Sequence, residues 1–333
     1  MNVFITDTTL REGLQSASLE LSYEKRKELF FLLASVGIHE LEVGVPVHSE
    51  EEKDYIKELV NTQYTDKVIV WNRANMRDIE ASLACGVKKL EIAVPTSDIM
   101  IKEKLKKDRE YILKLVKEIL SYVKSKKLYV SIGFEDVSRA DINFILKLLD
   151  IIKREGADRV RLSDTVGVLN PLQVSQLVRM ASSFLDVEVH FHNDFGMATA
   201  NSIIAFLSGA KYINASLLGL GERCGITPTE EVVSYLNLIL NVDTGINVKE
   251  LYNIIKSFVN LTNIHIPENK PLIGKNAFVN KSSIHIDGLT KSIRTYLPFN
   301  PEVIGAEATI TFGMYSKNRS ANRQKCSDLN KNL

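Results

Sequence analysis

The sequence predicts an α/β chain that closes into a (β/α)8 TIM barrel and carries a helical and mixed C-terminal extension. Short β-rich runs recur between residues 3 and 217, each followed by a stretch with helical apolar spacing. Strands joined by helices run parallel, because the crossover returns the chain to the same end of the sheet. Eight such runs suit a closed barrel. An open nucleotide-binding sheet would show GxGxxG after its first strand, and TLREG stands there instead.

The strands are read, in order, over VFITD (3–7), ELEVGV (40–45), VIVWN (68–72), KLEIAV (89–94), YVSIGF (129–134), RVRLSD (159–164), VEVHFH (187–192) and YINASL (212–217). Helix signals lie between them. Ser22 caps a run that stops at Gly37, and Ser138 opens one that stops at Gly156. Asn170 opens another, with Pro171 in its first turn. The eighth unit's helix, PTEEVVSYLNLIL, ends near Leu240, which puts the barrel domain at residues 1–243. VKELYNIIKSFVNLT begins an extension over 244–315, and a polar tail over 316–333 is expected to fray.

Lys plus Arg number 42 and Asp plus Glu 41, a net charge of +1. That balance gives no case for nucleic acid or an anionic membrane as partner. The run from Lys102 to Lys107 is read as a solvated face. No stretch is long and apolar enough to span a bilayer, and MNVFITDTTLREG lacks the features of a signal peptide. Cys85, Cys224 and Cys326 are odd in number without CxxC spacing, so free thiols in a reducing cytoplasm are expected.

A barrel of this kind carries its chemistry at the C-terminal ends of its strands. Charge collects there: Asp7, Arg11 and Glu12 after strand one, Glu135 and Asp136 after strand five, and Asp164 and Thr165 after strand six. His190, His192, Asn193 and Asp194 end strand seven, and Glu222 and Arg223 follow strand eight. Such a concentration is hard to explain as packing. His190 and His192, two residues apart, point the same way from a strand. A bare HxH suits a hydrogen-bonded core pair as well as a metal. HFHND, with Glu12 at the same mouth, favours one divalent ion held by Glu12, His190 and His192, with Mg, Mn, Fe or Zn all compatible. His39 and His48 are read as packing or surface residues.

DTTLREG, GFEDVSRAD, DTVGVLNP, HFHNDFGMATAN and GLGERCGITPTEE, in this order, resemble the isopropylmalate, homocitrate and citramalate synthase family. Hydroxymethylglutaryl-CoA lyase is a more distant relative. The resemblance runs from about residue 3 to 313. VWNRAN, VPTSDIMIKEKLKKDREY and SIGFEDVSRAD are most similar to homocitrate synthases of the nitrogen-fixation type.

The resemblance implies a metal-dependent acyltransferase that condenses acetyl-CoA with 2-oxoglutarate and water to give homocitrate and CoA. Oxaloacetate, pyruvate or 2-oxoisovalerate as acceptor, or cleavage of a hydroxyacyl-CoA, are its alternatives. It implies that Arg11 is the catalytic arginine and that Glu12 takes a metal-ligand place often filled by Asp. Glu135 and Thr165 line the oxo-acid pocket, with Gln15 in contact. His285 and Tyr296 match a pair that reaches the active site of the other subunit in a homodimer. Arg73, at the end of strand three, is placed to hold the distal carboxylate of a dicarboxylic acceptor, the alternative being that it points outward and pairs with a helix carboxylate such as Asp78 or Glu80.

The sequence also departs from the family. Gly225-Ile226 replaces a usual Gly-Asn, and Ser131 stands where lysine-type enzymes have an arginine. FGMYSKNRS replaces LGKHSG near the end. The chain stops before a regulatory domain, so feedback inhibition by leucine is not expected.

Overall fold

The computed structural model describes residues 2–311. Eight parallel strands close on themselves, β1 pairing with both β2 and β8. They are β1 (Phe4–Asp7), β2 (Glu40–Glu42), β3 (Val68–Arg73), β4 (Lys89–Pro95), β5 (Tyr129–Glu135), β6 (Arg159–Asp164), β7 (Asp186–Phe191) and β8 (Tyr212–Ala215). Helices α1 (Tyr23–Ser35), α2 (Glu50–Val60), α3 (Met76–Ala84), α4 (Arg109–Ser125), α5 (Ile142–Arg154), α6 (Pro171–Ala181), α7 (Ala198–Leu207) and α8 (Thr229–Leu238) follow the strands in turn.

Two of the expected helix starts hold. Ser22 accepts from the Lys25 amide, and Asn170 and Gln173 cap α6 reciprocally. The third moves: Ser138 lies in a 3-10 turn, and Asp141 caps α5 by accepting from Phe144 N at 2.9 Å. Two strands stop two or more residues short of their apolar runs. Beyond β2, Arg26 takes the Val43 carbonyl at 2.8 Å and Glu52 takes the Val45 amide at 3.1 Å. Beyond β8, the Leu217 amide turns to Thr9 Oγ1 at 2.8 Å.

Alternation along each strand separates two environments. Leu41, Val70, Leu90, Ile92, Val130, Ile132, Val160, Leu162, Val187, Val189 and Ile213 are buried apolar residues of the strands. Among the residues alternating with them, six are charged and also buried: Glu40, Glu42, Glu91, Arg159, Arg161 and Glu188. Most barrels of this class fill the lumen with branched aliphatics. Here Arg159 pairs with Glu40 at 2.6 Å and with Glu188 at 3.0 Å. Arg161 pairs with Glu42 at 2.7 Å and with Glu188 at 3.1 Å. Arg159 also lies over the Tyr212 ring, 4.3 Å from its centroid. Breaking one partner out of such a pair strands a buried charge, a loss of about 3–5 kcal/mol.

The chain divides into two compact units between Ile246 and Asn247, where the sequence reading had put the boundary after residue 243. The second unit holds α9 (Val248–Thr262), capped by Asn247, and α10 (Ser283–Lys291). It also holds a parallel pair, β9 (Val279–Asn280) and β10 (Thr309–Ile310). The FGMYSKNRS stretch, the expected polar tail and Cys326 lie outside the described residues. Among the described residues, no helix is long and apolar enough to cross a membrane.

Candidate active site

The turn after β1 folds on itself and aims two side chains inward. Asp7 accepts from the Thr9 amide at 2.9 Å and from Thr229 Oγ1 at 2.7 Å. Burial pushes the Asp7 acid up to about 6. The amides of Arg11 and Gly13 both bond to the Thr8 carbonyl, at 3.0 and 3.1 Å. Arg11 then reaches Glu42 on β2 and Glu12 beside it. Glu12 is 3% exposed, and Gly221 leaves room for it: a Cβ there would stand 3.3 Å from Glu12 Cγ.

β7 delivers the two imidazoles. His190 Nδ1 lies 2.7 Å from Asn214 Oδ1, and the Asn214 amide nitrogen faces Glu188 Oε1 at 3.4 Å. That fixes the tautomer: Nδ1 carries the proton and Nε2 presents its lone pair. His190 Nε2 stands 3.4 Å from His192 Nε2, which is 3.9 Å from Glu12 Oε1. Burial lowers His190 to about 4 and His192 to about 3, so both are neutral near pH 7. Burial is the largest influence on Glu12 and works to raise it, but the Arg11 guanidinium, the His190 and His192 rings and the Glu222 amide together keep the carboxyl below its usual range. Two neutral imidazoles and an ionised carboxylate have their ligand atoms within 4.8 Å of one another. One divalent ion fits this donor set.

These groups line one end of a cavity of about 210 Å³ at the C-terminal mouth of the barrel. Gln15, Glu135 and Thr165, expected from the sequence, line it too. Glu135 is paired with Lys104 at 2.8 Å, and Thr165 Oγ1 accepts from the Asp136 amide at 2.9 Å. Trp71, Glu91, Ala93, Arg161, Ser163 and Glu222 complete the lining. Of these, the sequence reading names only Glu222 and misses the other five, although KLE and RVR carry the period-two charge that marks lumen positions.

Arg73 takes the outward pairing, the alternative that its place in the sequence left open. Its guanidinium is bidentate to Asp78 on α3, at 2.8 Å for both contacts, and its side chain is 60% exposed. It does not line this cavity, because a carboxylate one helical turn away already satisfies its fork. Much of the rim charge is structural as well, against the expectation that packing could not explain it. Asp136 holds Arg139, Asp194 holds Arg223 at 2.8 Å, and Asp164 accepts from the Val168 and Leu169 amides. His39 accepts from the Ile5 amide at 3.1 Å, a packing role as expected. Cys85 is buried and Cys224 exposed, both as free thiols.

His285 and Tyr296 belong to the second unit. Their rings stack with centroids 4.1 Å apart, and both residues are exposed. The pair is therefore formed within that unit.

Comparison with known proteins agrees with this geometry. Residues 2–258 match the family described as HMGL-like. The chain is 38% identical over 316 residues to 2-isopropylmalate synthase 2 of Caldanaerobacter subterraneus subsp. tengcongensis, covering 94% of this chain and 82% of that protein. It is 39% identical over 320 residues to homocitrate synthase 1 of Nostoc sp., covering 96% and 85%. It is 37% identical over 318 residues to an (R)-citramalate synthase of Methanocaldococcus jannaschii, covering 95% and 65%. Hydroxymethylglutaryl-CoA lyase from Pseudomonas aeruginosa shares the fold, with a TM-score of 0.70 at 20% identity over 79% of this chain and 94% of that one. The chain belongs to the HMGL-like family.

Proposed function

We propose that this chain is a metal-dependent acyltransferase that condenses acetyl-CoA with a 2-oxo acid and releases CoA. The observation that carries the reading is the Glu12, His190 and His192 cluster beside Arg11 at one end of the cavity. Glu12, His190 and His192 would hold a divalent ion, which would supply Lewis acidity toward the acceptor ketone. Arg11 stabilises the negative charge that grows on the ketone oxygen as the carbon–carbon bond forms. It is preorganised for this by Glu42 on one side and Glu12 on the other. The acetyl methyl gives its proton to a base, for which Glu135 and the His285–Tyr296 pair are the candidates. Water then cleaves the thioester and frees CoA. Gln15 and Thr165 orient the acceptor.

2-Oxoglutarate is the proposed acceptor, with homocitrate as product, in a cytoplasmic homodimer. Relatives named homocitrate synthase at 39% and 36% identity support this reading. The relative named 2-isopropylmalate synthase 2, at 38%, supports the sibling acceptor 2-oxoisovalerate about as well. The test is CoA release with 2-oxoglutarate, oxaloacetate, pyruvate and 2-oxoisovalerate, with products identified by mass. The highest kcat/KM should belong to 2-oxoglutarate. A monocarboxylic winner removes the homocitrate assignment, and no CoA release with any acceptor removes the condensation. For the homodimer, mixing Arg11→Ala chains with His285→Ala chains should restore activity. No recovery despite proven subunit exchange contradicts a shared site.

A further inference from the structure

The proposed function leaves the far end of the cavity without a partner for a second carboxylate, since Arg73 is engaged elsewhere. In a closed eight-stranded barrel, β3, β4 and β5 lie across the lumen from β7, β8 and β1, which carry the His190, His192 and Glu12 cluster. Glu91 on β4 is on that opposite wall. It lines the cavity and is fully buried, and neither of its carboxyl oxygens makes a hydrogen bond. Its placement is built in. Gly133 on β5 is open at this level, and a Cβ there would collide with Glu91 Oε1. The Ser131 hydroxyl, in register with Glu91, is likewise buried and unpaired.

The charges around Glu91 say which form it takes. Arg161 on β6 is the nearest cation, its Nε 3.6 Å from Glu91 Oε2 and so beyond hydrogen-bond range. Arg161 is already committed to Glu42 on β2 and Glu188 on β7. Trp71 stands on β3 and Ser131 on β5. Along this network Glu12, Glu40, Glu42, Glu91 and Glu188 face Arg11, Arg159, Arg161 and Lys89, an excess of one carboxylate. The least paired of the five takes the proton.

We propose that Glu91 is the acceptor-selecting residue of this cavity: as a carboxylic acid it donates a hydrogen bond to the far carboxylate of a dicarboxylic 2-oxo acid, with Arg161 behind it. The inference rests on the condensation reading and names its acceptor class. An acid–carboxylate hydrogen bond is short and strong, whereas two ionised carboxylates at that distance repel. Burial, opposed by Arg161 and aided by Glu188, raises the Glu91 acid to about 7. Above that pH the site gains a proton from solvent when a dicarboxylate binds. A monocarboxylic acceptor leaves Glu91 as it is.

The experiment is calorimetric titration of the Mn-loaded full chain with 2-oxoglutarate and with pyruvate, in buffers of different ionisation enthalpy. With 2-oxoglutarate, uptake should approach about one proton near pH 8 and fall to about a tenth near pH 6. Pyruvate should take up none at either pH. Glu91→Gln, a permanent donor of nearly the same shape, should bind 2-oxoglutarate without proton uptake. Equal uptake for the two acids, no binding of 2-oxoglutarate, or unchanged uptake in Glu91→Gln would each overturn the role of Glu91. CoA release is scored separately. Condensation with monocarboxylic acceptors alone keeps the function and removes this inference. Proton uptake without any CoA release does the reverse.

Discussion

The two walls of the cavity handle buried polarity in opposite ways. On the wall of β7, β8 and β1, the side chains are braced from behind: Asn214 fixes His190, Arg11 grips Glu12, and the ligand atoms converge on one point. On the wall of β3 and β4, the Trp71 ring lies under the Arg11 guanidinium, 5.7 Å from centroid to Cζ, and Glu91 lines the cavity with two unpaired oxygens. Convergence on a point suits an ion, whereas unpaired groups around a volume suit the variable end of a substrate. The difference predicts that turnover and acceptor preference should be separable by mutation.

The largest effect should come from breaking the converging wall. His192→Ala should lower kcat/KM by about 10³-fold, since a bound ion supplies several kcal/mol of charge stabilisation. Metal content by mass spectrometry should fall with it. Near-normal turnover without bound metal would contradict the ligand assignment. Next comes the brace behind it. Asn214→Ala frees the His190 ring and should weaken metal affinity by about 10–100-fold. An unchanged dissociation constant would mean that the strand alone orients His190.

The electrostatics of that wall can be tested without mutation. His190 at about 4 and His192 at about 3 both lie below the ordinary 6.5. Near pH 7 neither holds a dissociable proton, so metal binding should release almost none, as read in buffers of different ionisation enthalpy. Release of about one proton per ion near pH 7 would show an imidazolium in the metal-free site. The same shifts predict the direction of acid sensitivity. Unfolded imidazoles gain protons below 6.5, so the metal-free protein should lose stability as pH falls from 6.5 through 4. The smallest effect belongs to Arg73→Ala. Arg73 is exposed but Asp78 is buried and would keep the residue-73 amide as a partner, so the loss should be on the order of 1 kcal/mol and the melting temperature should fall only slightly. Acceptor preference should also stay the same. A shift in preference toward monocarboxylic acids would return Arg73 to the specificity wall.

The converging wall was legible in the sequence because its chemistry is compact in sequence. HxH on one strand forces two imidazoles onto one face, and strand ends of a barrel share one mouth. The eight strands were legible for a similar reason, since each is a local apolar run. The far wall was not. Trp71, Glu91 and Arg161 come from three strands, and only closure of the barrel sets them around one lumen. Arg73 shows the converse limit. Its strand position and Asp78 as a competing partner are both readable from the sequence, but only the folded chain shows that Asp78, local to α3, takes the guanidinium. The shift of the α5 cap from Ser138 to Asp141 is the same kind of limit, in which one nearby polar residue displaces another.

If Glu12, His190 and His192 hold the ion on which condensation depends, metal and activity must rise and fall together. The direct test strips the protein with a chelator and restores a single divalent metal by titration. CoA release from acetyl-CoA with 2-oxoglutarate is followed throughout. Activity should be lost on stripping and return in proportion to metal, saturating near one ion per chain in the wild type, with no return in His192→Ala. Full activity in the stripped protein, or equal recovery in His192→Ala, would contradict the account.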